Sequence, residues 1–325
     1  MDALDKISPP LVPEMRVVVR SRLPDGSATD IVGWVEAVDA DRVVLTDHRG
    51  RTVVVERRTV LAARRAPAAR GGHDPRRTSA EELEQIALPG WGAWREPLGE
   101  WTMRAAAGFT GRANSCLAVG DPGIALPEAA QRIIDFSAAH GIEPRAQLVS
   151  GSEAERGLRA LGWQETYVPT DVLVARLADL LGDSLPDPRV ELSEEPDAAW
   201  WRAYGLSRPT SVPHGVLRQV LVGGPACRLA GVREEQQVIA IGRGHLSADW
   251  LGLSSLWTAP EHRRRGWAQR TIGALGHWAA RRGARNVYLQ VAEENEPAHQ
   301  AYGRLGFSLH HRYRYLSPPA SARVS

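Results

Sequence analysis

The stretch LWTAPEHRRRGWAQRTIGALGHWAARRGARNVYLQVAEENEPAHQAYGRLGF, residues 256–307, carries more chemical information than any other part of the chain. A strand-like run through Leu256, Trp257 and Thr258 ends where Pro260 blocks its continuation. Arg263-Arg264-Arg265-Gly266-Trp267-Ala268 then leads directly into a helix, predicted from about Arg265 to Arg282. Ala268, Ile272, Leu275 and Ala279 are spaced 4, 3 and 4 apart, so they are expected to share one buried face. The first turn of a helix has N–H groups without intrahelical partners, and the dipole favours an anion there. Gly266 removes a side chain where a phosphate would approach the backbone, and three arginines add positive charge. The unit reads as a pyrophosphate cradle. It is neither G-x-x-x-x-G-K-[ST] nor G-x-G-x-x-G, which argues against a P-loop nucleotidase and a dinucleotide-binding dehydrogenase.

Downstream, Asn295-Glu296-Pro297-Ala298 opens a short helix, with Asn295 as its cap and Pro297 in its first turn. Tyr302 follows seven residues after Asn295, and then Leu305-Gly306-Phe307. The pattern R-x-x-G-x-A, then N-x-x-A-x-x-x-Y, then L-G-F resembles the GNAT superfamily of acyl-CoA-dependent N-acyltransferases. The one departure is Ala268, where glycine is common.

The resemblance implies a fold, a co-substrate and a site. The fold is α/β, with a mixed central sheet whose strand before the cradle splays from its neighbour. Acetyl-CoA is the implied co-substrate, with a primary amine as acceptor. Leu256, Trp257 and Thr258 would bind the pantetheine arm, and Arg263, Arg264, Arg265, Gly266, Trp267 and Ala268 the pyrophosphate. Asn295 would contact the pantetheine or hold the loop beside it. Tyr302 would protonate the departing thiolate. Backbone N–H from the splayed strand would stabilise the oxyanion. Direct attack by the amine fits the lack of a Ser-His-Asp or Cys-His motif.

Outward from this stretch, three blocks are legible. Residues 11–65 hold short Val-rich runs separated by turn residues, with RTVVVERRTVLAA (51–63) read as one strand. They resemble an SH3-like barrel. Residues 66–80 read as a basic flexible linker. Residues 81–182 repeat, in faded form, the strand, helix, strand and short-helix order of residues 187–318. Leu161-Gly162-Trp163 matches Leu305-Gly306-Phe307. The first copy has GDPGIALPEAAQ (120–131) where the cradle should be, an acidic loop ill-suited to a pyrophosphate. Its expected task is to complete the sheet and wall the acceptor site. The layout of a barrel, a degenerate half and an intact catalytic half resembles three-part acetyltransferases of actinobacteria and other high-GC bacteria.

Composition narrows the remaining classes. The chain has 325 residues, 43% hydrophobic and 24% charged, with a formal net charge of +2. That charge does not demand a nucleic-acid partner. Lys6 is the only lysine among 40 basic residues. Cys116 and Cys227 lie in no C-x-x-C and no histidine cluster has zinc-ligand spacing, so no metal is expected. The start, MDALDKISPPLVPEM, lacks a signal peptide's apolar run, and no apolar run approaches membrane-span length. A cytoplasmic protein with no membrane partner is expected.

For the general base, Asp249, Glu261, His245 and Ser255 are candidates. Trp200 and Trp201 belong either to the core or to the acceptor pocket, and Arg112 and Asn114 either to a turn or to the same pocket. His310 and His311 read as strand-surface histidines. The alternative to an enzyme is an acetyl-CoA sensor, or an adaptor whose barrel and linker bind protein or nucleic acid. The acceptor amine, the choice among acyl-CoA donors, and monomer against dimer stay open.

Overall fold

The fold is that of a computed structural model, which describes residues 4, 10–13, 15–47, 50–66, 73–224, 226–235 and 237–319. The N-terminal Val-rich runs form β1 (Arg16–Arg22), β2 (Ala28–Val38), β3 (Arg42–Asp47), β4 (Thr52–Glu56) and β5 (Val60–Arg65), in the order β4-β3-β2-β1-β5. Alternate residues Val17, Val19, Val43 and Leu45 point inward and are fully buried, as a period-2 pattern requires. The expected barrel is not closed. Among the described residues the edge strands β4 and β5 are not paired, so the sheet is open. The run 51–63 is also two strands rather than one. A 3-10 turn at Arg57–Thr59 interrupts it and carries β5 to the far edge beside β1. An extra residue at Glu36 bulges β2 and reaches out to Arg281 at 2.5 Å.

Of the predicted linker, residues 67–72 lie outside the described part, and residues 73–80 are packed rather than free. Asp74 caps a 3-10 turn at Pro75–Arg77, Thr78 is buried, and the His73 ring lies 6.3 Å from that of Trp250. The chain continues with α1 (Ala80–Ala87), β6 (Trp94–Leu98), β7 (Trp101–Ala105), β8 (Cys116–Leu117), α2 (Leu126–Ala139), β9 (Ala146–Val149), α3 (Glu153–Ala160), β10 (Gln164–Glu165), β11 (Thr170–Arg176) and α4 (Leu177–Leu181). Then come β12 (Val190–Ser193), α5 (Ala198–Ser207), α6 (His214–Val222), β13 (Cys227–Glu234), β14 (Gln237–Ser247) and β15 (Trp250–Thr258). The last elements are α7 (Trp267–Arg281), β16 (Asn286–Ala292), α8 (Glu296–Arg304) and β17 (Ser308–Ser317).

These strands form one continuous mixed sheet, ordered β12-β13-β14-β15-β16-β11-β17-β9-β8-β7-β6, with β10 on β17. The two blocks of the sequence are therefore not separate bodies. β11 of the earlier block lies between β16 and β17 of the later one, and β17 pairs onward with β9. Sharing the sheet leaves neither block with a free inner edge, where unpaired N–H and C=O groups would lie buried. α7 packs across β13–β15 through Ile272, Leu275 and Ala279, all fully buried. Ala268 is exposed instead of joining that face; Trp267 starts the buried stripe in its place. Among the described residues no helix is long and apolar enough to cross a membrane, and no group of three His, Cys, Asp or Glu could hold a metal.

Candidate active site

β15 and β16 run parallel and in register from Trp250–Asn286 to Leu253–Leu289, and then part. Past that point β15 keeps β14 on its other side, with one extra residue between Ser254 and Trp257. Ser255 takes up this bulge in the left-handed region, at φ 52°. Arg243 supports the bulge from behind. It is fully buried, donates to the Leu221 and Gly90 carbonyls, and reaches Ser254 Oγ at 3.1 Å.

The gap between the strands opens into a cleft of about 780 Å³. One wall holds Leu253–Trp257, Leu289–Ala292, Asn295, Ala298 and Tyr302. The other holds Trp91, Gly108–Arg112, Tyr167, Thr170, Tyr204, Ser207–Thr210, Tyr313 and Tyr315. Both blocks of the chain thus build it.

Asn295 is the N-cap of α8, its Oδ1 accepting from Ala298 N–H at 3.2 Å. Tyr302 stands two turns along, half-buried, its ring edge-on to Phe307 at 5.9 Å. Burial raises the Tyr302 hydroxyl above the ordinary tyrosine range, so it holds its proton at neutral pH. Gly306, at φ 89°, ends the helix, and Phe307 N–H returns to the Tyr302 carbonyl at 3.1 Å.

Thr258 and residues 263–268 lie outside the cleft lining, at the bend into α7. Gly266 is the N-cap at φ 80°, with no side chain capping the helix. A Cβ placed on it would meet nothing within 4 Å, which leaves room for an incoming group. The N–H of Arg270 makes the first bond back, to Gly266 O at 3.1 Å, so the N–H groups ahead of it face outward. Arg263, Arg264 and Arg265 are exposed around this point, and Arg263 Nε donates to Thr258 O at 3.3 Å. Trp267 departs from expectation in its side chain. The indole is buried, with the Arg189 and Arg270 guanidiniums 4.9 and 4.8 Å from its ring, so only its backbone faces the bend.

Of the candidate bases, Ser255 alone lines the cleft. His245 is buried behind the sheet, bonded to Tyr288 Oη at 2.8 Å, and burial with the Arg243 charge holds it well below the ordinary histidine range. A Cβ at Gly90 would stand 2.0 Å from its Nε2. Asp249 sits in the turn before β15, at the far end of the strand from the cleft, where its carbonyl accepts from Arg285 N–H. Glu261 is exposed in the 3-10 turn after β15. Trp200 is core, stacked on Tyr204 and donating to the Ala230 carbonyl, and Trp201 packs beside it. Arg112 lines the cleft; Asn114 does not, and instead holds the 106–110 loop through five backbone bonds. His310 and His311 are half-buried rather than surface groups, bonded to the Thr78 carbonyl and to Glu84. Both cysteines are free and buried, and burial pushes the Cys116 thiol up to about 12.

The reading from sequence did not reach Tyr313, Tyr315, Tyr204 or Arg243. The alternation Tyr313-Arg314-Tyr315 in β17 was the available signal, since period 2 sets both phenols on one face.

Comparison with known proteins bears on this arrangement directly. A family model described as "Probable histone acetyltransferase Rv0428c C-terminal" matches residues 78–316. The uncharacterized N-acetyltransferase YobR of Bacillus subtilis (strain 168) is 26% identical over 262 residues, covering 72% of this chain and 97% of that protein. A GCN5-related N-acetyltransferase from Kribbella flavida shares the fold with a TM-score of 0.53 at 16% identity, over 74% of this chain and 96% of that one. A conserved protein of unknown function from Staphylococcus epidermidis ATCC 12228 does so with a TM-score of 0.50 at 11% identity, over 72% and 98%. The match runs over the whole shared sheet, cleft included, and the chain belongs to the family of the Rv0428c C-terminal region, an N-acetyltransferase of the GNAT type.

Proposed function

We propose that the protein transfers an acetyl group from acetyl-CoA to a primary amine by direct attack, in the cytoplasm. One observation carries this reading. β15 and β16 part at Leu253 and Leu289, and the cleft that opens there is lined by Leu256, Trp257, Asn295 and Tyr302. The residues present fit the co-substrate on this structure's own terms. The bend has open space at Gly266 and outward N–H groups, and β15 has an unpaired edge beyond Leu253.

In this reading the N–H groups from Arg264 to Ala268, with Arg263–Arg265, hold the pyrophosphate. Leu256–Thr258 receive the pantetheine arm as an added strand would be received. Asn295 fixes the start of α8 and thereby the height of Tyr302. The co-substrate supplies a thioester carbonyl. The neutral amine's lone pair forms the new C–N bond, the C–S bond breaks, and the thiolate takes the Tyr302 proton. Backbone N–H at the Ser255 bulge faces the developing oxyanion. Among the described residues the cleft lining holds no carboxylate and no imidazole, so the amine's surplus proton leaves through water.

The decisive experiment pairs calorimetric titration of acetyl-CoA with thiol release on an amine panel. Binding together with release on at least one amine supports transfer. Binding without release on any amine would favour the sensor, and no binding would end the proposal. The element order repeated in the two blocks supports the three-part layout in this reading.

A further inference from the structure

The acceptor wall of the cleft carries two guanidiniums, Arg112 and Arg208, and no carboxylate among the described residues. Elsewhere on the same sheet arginines meet acids: Arg312 pairs with Asp171 at 2.6 Å and Arg314 with Glu165 at 2.8 Å. Those side chains alternate with Tyr313 and Tyr315 along β17 and so face away from the cleft. Among the described residues Arg112 has no such partner. Its Nε donates to Tyr313 Oη at 2.9 Å and its carbon lies 5.5 Å from the Trp91 ring centre, which fixes the plane of the fork. Glu84, a charge that acts on Arg112, is already engaged by His311 Nε2 at 3.0 Å and Gln147 Nε2 at 2.5 Å. Arg208 is exposed on the same wall.

Position separates this charge from the donor side. Ala292, Thr170 and Tyr313 form one row across β16, β11 and β17, so Tyr313 stands about 10 Å, two strand spacings, from the end of β16. We infer that the acceptor amine also bears an anionic oxygen group, carboxylate or phosphate, seated on the fork of Arg112. This rests on the cleft being the amine site of the transfer proposed above. A planar guanidinium presents paired donors that match either anion, and a half-buried one gains more from the pairing than an exposed one. Polyamines and lysine-rich tails would instead set like charge against Arg112 and Arg208.

The test uses the full chain and reads binding of reaction products by tryptophan fluorescence, since Trp91 and Trp257 line the cleft. The probes are N-acetylglutamate, N-acetylphenylalanine and N-acetylphosphoethanolamine, each against its uncharged amide or alcohol, with N-acetylspermidine as the cation. Acetyl-CoA is titrated separately. The anionic member of at least one pair should bind about tenfold to a hundredfold tighter than its neutral partner. Arg112→Gln should erase that preference and Arg112→Lys should keep part of it, with acetyl-CoA affinity unchanged in both. The pair that responds tells carboxylate from phosphate. Equal binding of charged and neutral partners, tighter binding of N-acetylspermidine, or no binding of any anionic probe overturns the inference, and so does a preference that survives both variants. Should Arg112→Gln fail to fold, the comparison of charged and neutral probes on the unaltered protein still decides. If acetyl-CoA does not bind yet the anion preference holds, the transfer proposal falls and the anion site stands.

Discussion

The bend into α2 and the bend into α7 occupy matching places in the two blocks, each following a strand and preceding the longest helix of its block. At α2 the bend is filled. Glu100 accepts the N–H of Asp121 at 2.6 Å, Asp121 accepts that of Gly123 at 2.8 Å, and a Cβ on Gly120 would lie 2.4 Å from the Glu100 carboxylate. At α7 the bend is empty, with a left-handed glycine, outward N–H groups and exposed arginines. The ends of the following short helices match as closely and differ as sharply. Trp163 N–H returns to Leu158 O and Phe307 N–H to Tyr302 O, after glycines at φ 85° and 89°. Where one block has the phenol of Tyr302, the other has the fully buried Leu158. A backbone scaffold is thus kept twice while its side chains differ: one copy spends its donors on its own acids, and the other leaves them outward.

Six substitutions test that contrast. Tyr302→Phe removes a general acid and should lower kcat by about 10²–10⁴-fold with acetyl-CoA affinity nearly unchanged, read by thiol release. An unaltered rate would mean that solvent protonates the thiolate and that the two helix ends differ only in packing. Leu158→Ala, at the matching position, should act on stability instead, costing about 3–4 kcal/mol in denaturant unfolding without touching acetyl-CoA affinity.

His277 sharpens the difference between the helices, since α7 carries this buried imidazole against the N-terminal sheet and α2 has no histidine within its span. Burial first, and the Arg65 charge second, hold it down to about 4. The unfolded chain binds this proton from about pH 6.5 downward and the folded one does not. The stability present above that value is therefore lost as pH falls through about 4, by roughly 3 kcal/mol. Unfolding curves between pH 7 and 4 should flatten in His277→Phe; an unchanged slope would place the acid sensitivity elsewhere. Gly266→Glu should weaken acetyl-CoA binding about a hundredfold, or about 2.7 kcal/mol. Gly266→Ala carries the backbone strain without the charge and should fall between it and the native protein. Ala125→Glu, at the N-cap of α2, should leave the affinity where it is, and a matching loss there would erase the distinction between the bends.

The legible part of the fold was local. Both helices and the cap at Asn295 follow from residues within a few positions of one another; the cap stands as read, and the helices, read from about Arg265 and from Pro297, start at Trp267 and Glu296. Where longer range entered, the reading was incomplete. α1 escaped it, because AEELEQIA is weakly apolar and its buried Leu83 and Ala87 pack on strands far along the chain. His245 is closed off from the cleft by Gly90 and Gly252, which press against it from two different blocks, a packing its neighbours in sequence do not record.

Local composition and spacing carried the GNAT motif, the turn at Gly266 into α7 and the cap of α8 at Asn295, because each depends on neighbours within one or two helical turns. Tertiary structure settled the insertion of β11 between β16 and β17, the open N-terminal sheet, and the meeting of Arg112 with Tyr313 from 201 residues away. Strand partners and cleft walls are chosen by burial and hydrogen bonding among segments remote in the chain, and neighbouring residues carry no record of that choice.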